Sequence, residues 1–261
     1  MKLAIAQISH GGDKKENLDK ILSVIASAGR NSDLVLFPET CMGVRTDRVS
    51  LADMAEDIEN GDFITAVRGA CAGAKVHACV CLWEKTETEK VFNTAVVVAP
   101  DGTTKAVYRK VHLFDALSVK ESDDMAAGSA LPEVFDVCGI KCSLAVCYDL
   151  RFPEVFRASA LSGAELFLVP AAWYAGEHKV HHLKTLLAAR ALENTAYTAC
   201  ADICGGSFSG YSAVYSPFGL CMAEAGTDDC VLFADISSGE ISSVRGILPC
   251  LENLSPIFRK I

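Results

Sequence analysis

The sequence predicts an α/β fold in which two sheets pack together with helices outside. Two observations carry this expectation. Apolar runs of strand length alternate with segments whose apolar residues recur at helical spacing. In addition, "DLVLFPET" (33–40) and "ELFLVPAA" (165–172) share one shape: an acid, an apolar run, a proline, then small or polar residues. Each follows a helical segment that itself follows a strand-like run, "KLAIAQI" in one case and "KCSLAVC" in the other. The pattern reads as two similar strand–helix–strand halves. No linker rich in Pro, Gly or Ser divides them, so residues 1–261 are read as one domain.

Taken in order, "KLAIAQI" is the first strand. A helix is expected over about 14–30, where Leu18, Ile21, Leu22 and Ile25 fall on one face. "DLVLFPE" is a continuous apolar run, as a strand covered on both faces requires. A helix near 63–74 leads to the strands "VHACVCLWE" and "VFNTAVVVAP", with Asp101-Gly102 turning into "TKAVYRK". After a polar loop, "VFDVCGIKCSLAVC" supplies two strands around Gly139. A helix starts at Pro153, where proline suits the first turn. "AELFLVPAA", a long helix over about 178–195, and the strands "AYTACADI", "YSAVYSPFG" and "CVLFADI" complete the pattern. The tail from about residue 245, "GILPCLENLSPIFRKI", is apolar but broken by two prolines. It is expected to pack on a partner subunit.

Composition narrows the function. The chain has 261 residues, 51% of them hydrophobic, enough for a large core. A net charge of −9 without blocks of like charge argues against nucleic acid and anionic membranes. No apolar run reaches membrane-spanning length, and the N-terminal run lacks a cleavage-site pattern, so a cytoplasmic home is expected. The twelve cysteines are scattered through apolar runs and read as reduced, buried small residues. None has zinc-site spacing, and the adjacent His181 and His182 point apart on a helix, so no metal is expected.

Three polar residues close apolar runs, at the strand ends where α/β folds build sites. Glu39 follows "LVLFP", Lys110 ends "AVYRK" and Cys147 ends "CSLAV". Singly, Glu39 and Lys110 read as solvated strand ends and Cys147 as one more buried thiol. Together they have a chemical logic. A thiol becomes a strong nucleophile when a neighbour takes its proton, and a carboxylate can be that base. An ammonium can stabilise the oxyanion formed at an attacked carbonyl, as can backbone N–H groups just after Cys147.

At this point "LVLFPE", "YRKVHLFD", "CYDLRFPE" and "LLAARALENTAY" together resemble the nitrilase superfamily, the carbon–nitrogen hydrolases, in order over residues 1–219. The resemblance implies a four-layer αββα sandwich with two pseudo-twofold-related halves. It implies Cys147 as nucleophile, Glu39 as general base, Lys110 at the oxyanion and Glu121, in "VKESDDMAAG", as a second glutamate orienting the lysine. Read alone, Glu121 is a solvated loop acid. The implied reaction passes through a thioester, needs no cofactor and yields a carboxylic acid and ammonia.

Tyr148-Asp149 stands where nitrilases usually carry Trp-Glu, and Leu150-Arg151 where carbamoyl amino acid hydrolases carry two arginines. "CYDLRFPE" is most similar to the branch of ω-amidases and deaminated-glutathione amidases, which act on amides of small acids. Arg151 is the candidate for binding a substrate carboxylate, with an ion pair to Glu154 as the structural alternative. Tyr148, Trp173 and Tyr174 are expected to wall the pocket. His178, His181 and His182 read as helix-face residues. Arg190 and Glu193 form an i,i+3 pair on a helix that the family uses in dimers, so a homodimer or larger homo-oligomer is expected. Other readings are a carbamoyl amino acid hydrolase or nitrilase of the same superfamily, a Cys–His hydrolase using His112, and a silent binding protein. A nucleophilic Cys147 should alkylate ahead of the other thiols.

Overall fold

A computed structural model describes residues 1–258. The chain opens with strand β1 (Lys2–Gln7), helix α1 (Lys14–Ala28) and strand β2 (Leu34–Leu36). Asp13 caps α1 by accepting hydrogen bonds from the Lys15 and Glu16 amides, and Ile21 and Ile25 are buried on its inner face. The short α2 (Leu51–Met54) and α3 (Asp62–Ala74) precede β3 (His77–Lys85), β4 (Val91–Val98) and β5 (Thr104–Arg109).

A small hairpin follows, β6 (Asp115–Ala116) and β7 (Val119–Lys120), and then β8 (Met125–Ala126) beside β4. The second half comprises β9 (Phe135–Val137), β10 (Ile140–Leu144), α4 (Pro153–Leu161), β11 (Leu166–Ala171), α5 (Lys179–Asn194), β12 (Tyr197–Asp202), β13 (Ala213–Tyr215) and β14 (Cys221–Glu224). Strand β15 (Cys230–Asp235) returns to the first sheet, and α6 (Ser238–Ile247) follows it.

The two sheets have one topology. In the first, the order is β15-β1-β2-β3-β4-β5; in the second it runs β9-β10-β11-β12-β13-β14. In each, three neighbouring strands are parallel (β1-β2-β3 and β10-β11-β12), one flank adds an antiparallel strand, and the other adds two. The expected doubling of the strand–helix–strand unit is therefore a property of the whole sheets.

Leu3, Ile5, Leu34 and Leu36 pack in one cluster with Leu144, Leu166, Leu168 and Ala199, so the sheets lie face to face. Alternate residues of β1 and β2, Ala4, Ala6 and Val35, meet Ile21, Ile25, Phe63 and Val67 from the helices α1 and α3. Helices α4 and α5 cover the second sheet with Val155, Phe156, Leu183 and Leu187. The result is an α/β sandwich, helices–sheet–sheet–helices. Burying each such Leu or Ile contributes about 1.5–3 kcal/mol.

The structure departs from expectation in places. The polar loop after Lys110 contains the β6–β7 hairpin, whose turn residues Leu117 and Ser118 have φ of 52° and 66°. "YSAVYSPFG" supplies only the short strand β13, and β14 and α6 are further elements. The cysteines are not uniformly buried: Cys138, Cys221 and Cys250 are exposed and Cys230 is half-buried, though all twelve are unbridged. Cys138 sits in a turn at φ 50°, Cys221 begins the outer strand β14 and Cys250 lies in the tail. Part of the tail, residues 259–261, lies outside the described residues.

Candidate active site

Glu39 stands three residues beyond the end of β2. Its backbone N–H donates to the Ala171 carbonyl at 3.2 Å, and its Oε2 accepts from the Ala172 amide at 2.9 Å. The end of one central strand is thus bonded to the end of its counterpart, β11. The carboxylate is 2% exposed, and Oε1 accepts from Asn93 Nδ2 and from Lys110 Nζ, the latter at 3.0 Å.

Lys110 follows β5 directly. Its backbone N–H donates to the Asn93 carbonyl at 2.9 Å, and its carbonyl accepts from Gly128 at 2.8 Å. A Cβ on Gly128 would stand 2.2 Å from the Arg109 carbonyl oxygen, so that close approach requires glycine. The ammonium also donates to both Glu121 oxygens, at 3.0 and 2.9 Å. Glu121 follows the small hairpin and accepts from the Phe114 amide at 2.8 Å, while its own N–H donates to the Phe114 carbonyl. The loop acid is therefore tied inward to the lysine rather than solvated. Burial alone would lower the Lys110 pKa, but the Glu39 and Glu121 carboxylates, and then Cys147, outweigh it and hold the ammonium charged. Burial raises Glu121; Lys110 opposes this and Glu39 adds to it.

Cys147 lies just past β10, at the start of a 3₁₀ turn spanning Cys147–Arg151, with φ 45°. That left-handed conformation is costly for a residue with a side chain and persists where surroundings enforce it. Asp149 supplies the enforcement. It is fully buried, and its Oδ2 accepts from the Val146 amide and the Tyr108 hydroxyl, both at 2.9 Å. Its Oδ1 accepts from the His112 amide at 3.1 Å and meets His112 Nδ1 at 2.8 Å. Arg190 secures the far side of the turn, its Nε donating to the Leu150 carbonyl at 3.0 Å and its Nη1 to Glu193 at 2.9 Å.

Burial raises the Cys147 thiol pKa well above the ordinary range. Glu39 adds to the rise, while Lys110 and the Ala172 amide pull against it. Burial and the neighbouring Glu39 and Glu121 carboxyls thus favour the thiol over the thiolate.

The sulfur opens on a cleft of ≈ 280 Å³ of empty space, its mouth included. The walls are Phe114, Glu121, Cys147, Tyr148, Arg151, Ala172, Trp173, Tyr174 and Lys179. Tyr148 meets Phe114 edge-on, with ring centroids 4.9 Å apart, and Tyr174 stacks on Phe208 at 5.2 Å. The Arg151 guanidinium lies 4.8 Å from the Trp173 ring centroid, and among the described residues no acid pairs with it, Glu154 included. Trp173 is fixed by its amide donating to the buried Asp202 at 2.7 Å and its Nε1 donating to the Lys179 carbonyl at 2.9 Å. A wider groove, ≈ 1100 Å³ with its open side, also reaches Glu39 and Glu121 past Trp83 and Phe208.

All eight residues singled out from sequence meet at or beside this cleft. Sequence reading passed over Asn93, Phe114, Asp149, Lys179 and Asp202. For Lys179 a signal existed: it is a cation in the first turn of α5, where the helix dipole disfavours positive charge. The His112 ring is held by Asp149 through Nδ1 and stacked on Phe152 with centroids 3.7 Å apart. The exposed thiols are open to alkylating reagents, so labelling alone does not single out Cys147.

Comparison with known proteins matches residues 2–246 to the carbon–nitrogen hydrolase family. The chain belongs to that family. Its relatives include the deaminated glutathione amidase of Escherichia coli O157:H7, 32% identical over 97% of each chain. The 2-oxoglutaramate amidase of Bacillus subtilis is 29% identical over 93% of each chain. Among solved structures, the nitrilase-superfamily amidase of Nesterenkonia sp. AN1 superposes with a TM-score of 0.80 at 29% identity, covering 95% of this chain and 98% of that one. In that structure acrylamide has added to the active-site cysteine. A carbon–nitrogen hydrolase with amidase relatives and an α/β sandwich fold is thus the setting for this site.

Proposed function

We propose that the protein hydrolyses the terminal amide of a small carboxylic acid, releasing ammonia through a thioester on Cys147. One observation carries the reading: Cys147, held at φ 45°, shares a cleft with Glu121, which is ion-paired through Lys110 to Glu39, and with Arg151, which among the described residues has no acid partner. The buried triad of two carboxylates and one ammonium carries one net negative charge. Chemistry that preserves this total avoids charging the interior.

The Cys147 sulfur attacks the amide carbon as its proton passes to Glu39. The new C–S bond displaces the carbonyl π pair onto oxygen, beside Lys110 and the backbone amides of the turn. Collapse breaks the C–N bond, and the Glu39 proton leaves on ammonia. Glu39 then takes a proton from water as the water attacks the thioester, and returns it to the departing sulfur. Glu121 neither gives nor takes a proton; it orients Lys110. Arg151 binds the substrate carboxylate, while Tyr148, Trp173 and Tyr174 wall the acyl chain. With this activity we place the protein in the cytoplasm as a one-domain homo-oligomer. The tail beyond residue 245, which exposes Ile247, Ile257 and Phe258, would contact the partner.

Ammonia release from 2-oxoglutaramate, deaminated glutathione, an N-carbamoyl amino acid and a nitrile, by wild type and Cys147→Ala, tests the proposal. Turnover of the acid amides should fall at least about 10⁴-fold in the variant. Turnover that survives would mean another group is the nucleophile.

A further inference from the structure

The cleft contains a second cation that the chemistry above does not use. Lys179 is 7% exposed, and its ammonium lies 4.9 Å from the Trp173 ring centroid and 5.3 Å from that of Phe114. Among the described residues it has no ion pair, and Arg151 lies against the same Trp173 ring. Three forces oppose this position. Burial and the neighbouring Arg151 charge both lower the Lys179 pKa, and the residue opens α5, where unpaired N–H groups already concentrate positive potential. Contact with two aromatic faces offsets only part of that cost. A mostly covered pair of like charges without a counter-ion is a site that an anion completes.

We propose that Lys179 and Arg151 together bind the carboxylate end of the acyl chain and that Lys179 supplies much of the preference for acidic over neutral amides. The proposal deepens the reading of the cleft as an acid-amide site and rests on it. The guanidinium offers a planar fork and the ammonium a compact charge, so one carboxylate can be held from two directions with its amide carbon at Cys147.

Succinamate and butyramide match in chain length and differ in the carboxylate, so their kcat/KM ratio reads the site directly. In Lys179→Met the ratio should fall at least tenfold, through KM for succinamate, and Lys179→Arg should restore most of it. An unchanged ratio in Lys179→Met would overturn the proposal, as would an equal loss on both amides. Succinate binding to Cys147→Ala protein, measured by calorimetry, reports the anion site without turnover. Affinity at least tenfold weaker with Lys179→Met added supports the proposal even if no amide is hydrolysed, an outcome that would sink the amidase reading alone. Succinate that fails to bind, or binds equally well to both proteins, overturns it.

Discussion

The two halves share a topology, yet the corresponding ends of β1 and β10 do different work. At the end of β1, Gln7 is fully buried and stitches the sheets together. Its Nε2 donates to the Gly226 and Asp228 carbonyls at 2.9 and 2.8 Å, and its Oε1 accepts from the Ser212 amide at 2.9 Å. At the end of β10 the chain turns at Cys147 and opens on the cleft. The ends of β2 and β11 divide similarly. One leads to Glu39, the other to Ala172, whose backbone amide holds Glu39. A strand end is therefore not a site by topology alone. A site arises where a strained turn of one half faces the paired charges of the other.

Removing the brace from one half gives the largest expected break in this comparison. Asp149 accepts from four donors, so Asp149→Ala leaves Tyr108, the Val146 amide and both His112 groups without their acceptor. Such a loss costs about 3–5 kcal/mol. Denaturant melts should show it, and activity should fall more than stability explains, because Cys147 is released from φ 45°. Stability lost with full activity per folded molecule would mean the turn holds without Asp149.

Much of this was legible beforehand. The shared shape of 33–40 and 165–172 exposed the doubling, because buried parallel strands write themselves as uninterrupted apolar runs. Glu39, Lys110 and Cys147 stood out as polar residues closing such runs, and Glu121 required a family resemblance because its segment reads as solvated loop. The hairpin presenting Glu121 was hidden since Leu117 and Ser118 carry the positive φ that Asn-Gly normally announces. Helix α6 did have a signal, Ser237 three residues before Glu240, and the Ser237 hydroxyl does accept from the Glu240 amide. Asp149 was unreadable as a brace, because its donors come from residues up to 41 positions away.

A smaller effect belongs to the first half. His10, in the loop after β1, has both ring nitrogens buried and, among the described residues, without a hydrogen bond of good geometry, the Glu39 carbonyl being a neighbour. Burial, then Lys20, lowers its pKa to about 4; the Glu39 carbonyl and Asp229 oppose this. Its folded pKa lies below the unfolded value near 6.5, so the neutral ring's contribution is intact above that pH. It is lost as pH falls towards 4, a swing on the order of 3 kcal/mol. His10→Asn should flatten the decline in melting temperature between pH 6.5 and 4 relative to wild type. Parallel declines would assign the acid sensitivity to other groups.

The smallest effect should come from His112, and it separates two chemistries. Asp149 accepts from the His112 amide in any variant, and the ring lies flat on Phe152. The His112 Nδ1 faces Asp149 Oδ1 at 2.8 Å, so the imidazole contributes to the brace, and only its Nε2 is left as a base. His112→Asn keeps a donor for Asp149 and loses the stacking, at a cost of roughly 1 kcal/mol. With Glu39 as the proposed base, steady-state ammonia release should stay within about tenfold of wild type; general-base loss typically costs 10²–10⁴-fold. A loss in that larger range with the fold intact would instead make His112 the proton acceptor, and the halves would then divide the work at β5 and β10 rather than at Glu39 and Cys147.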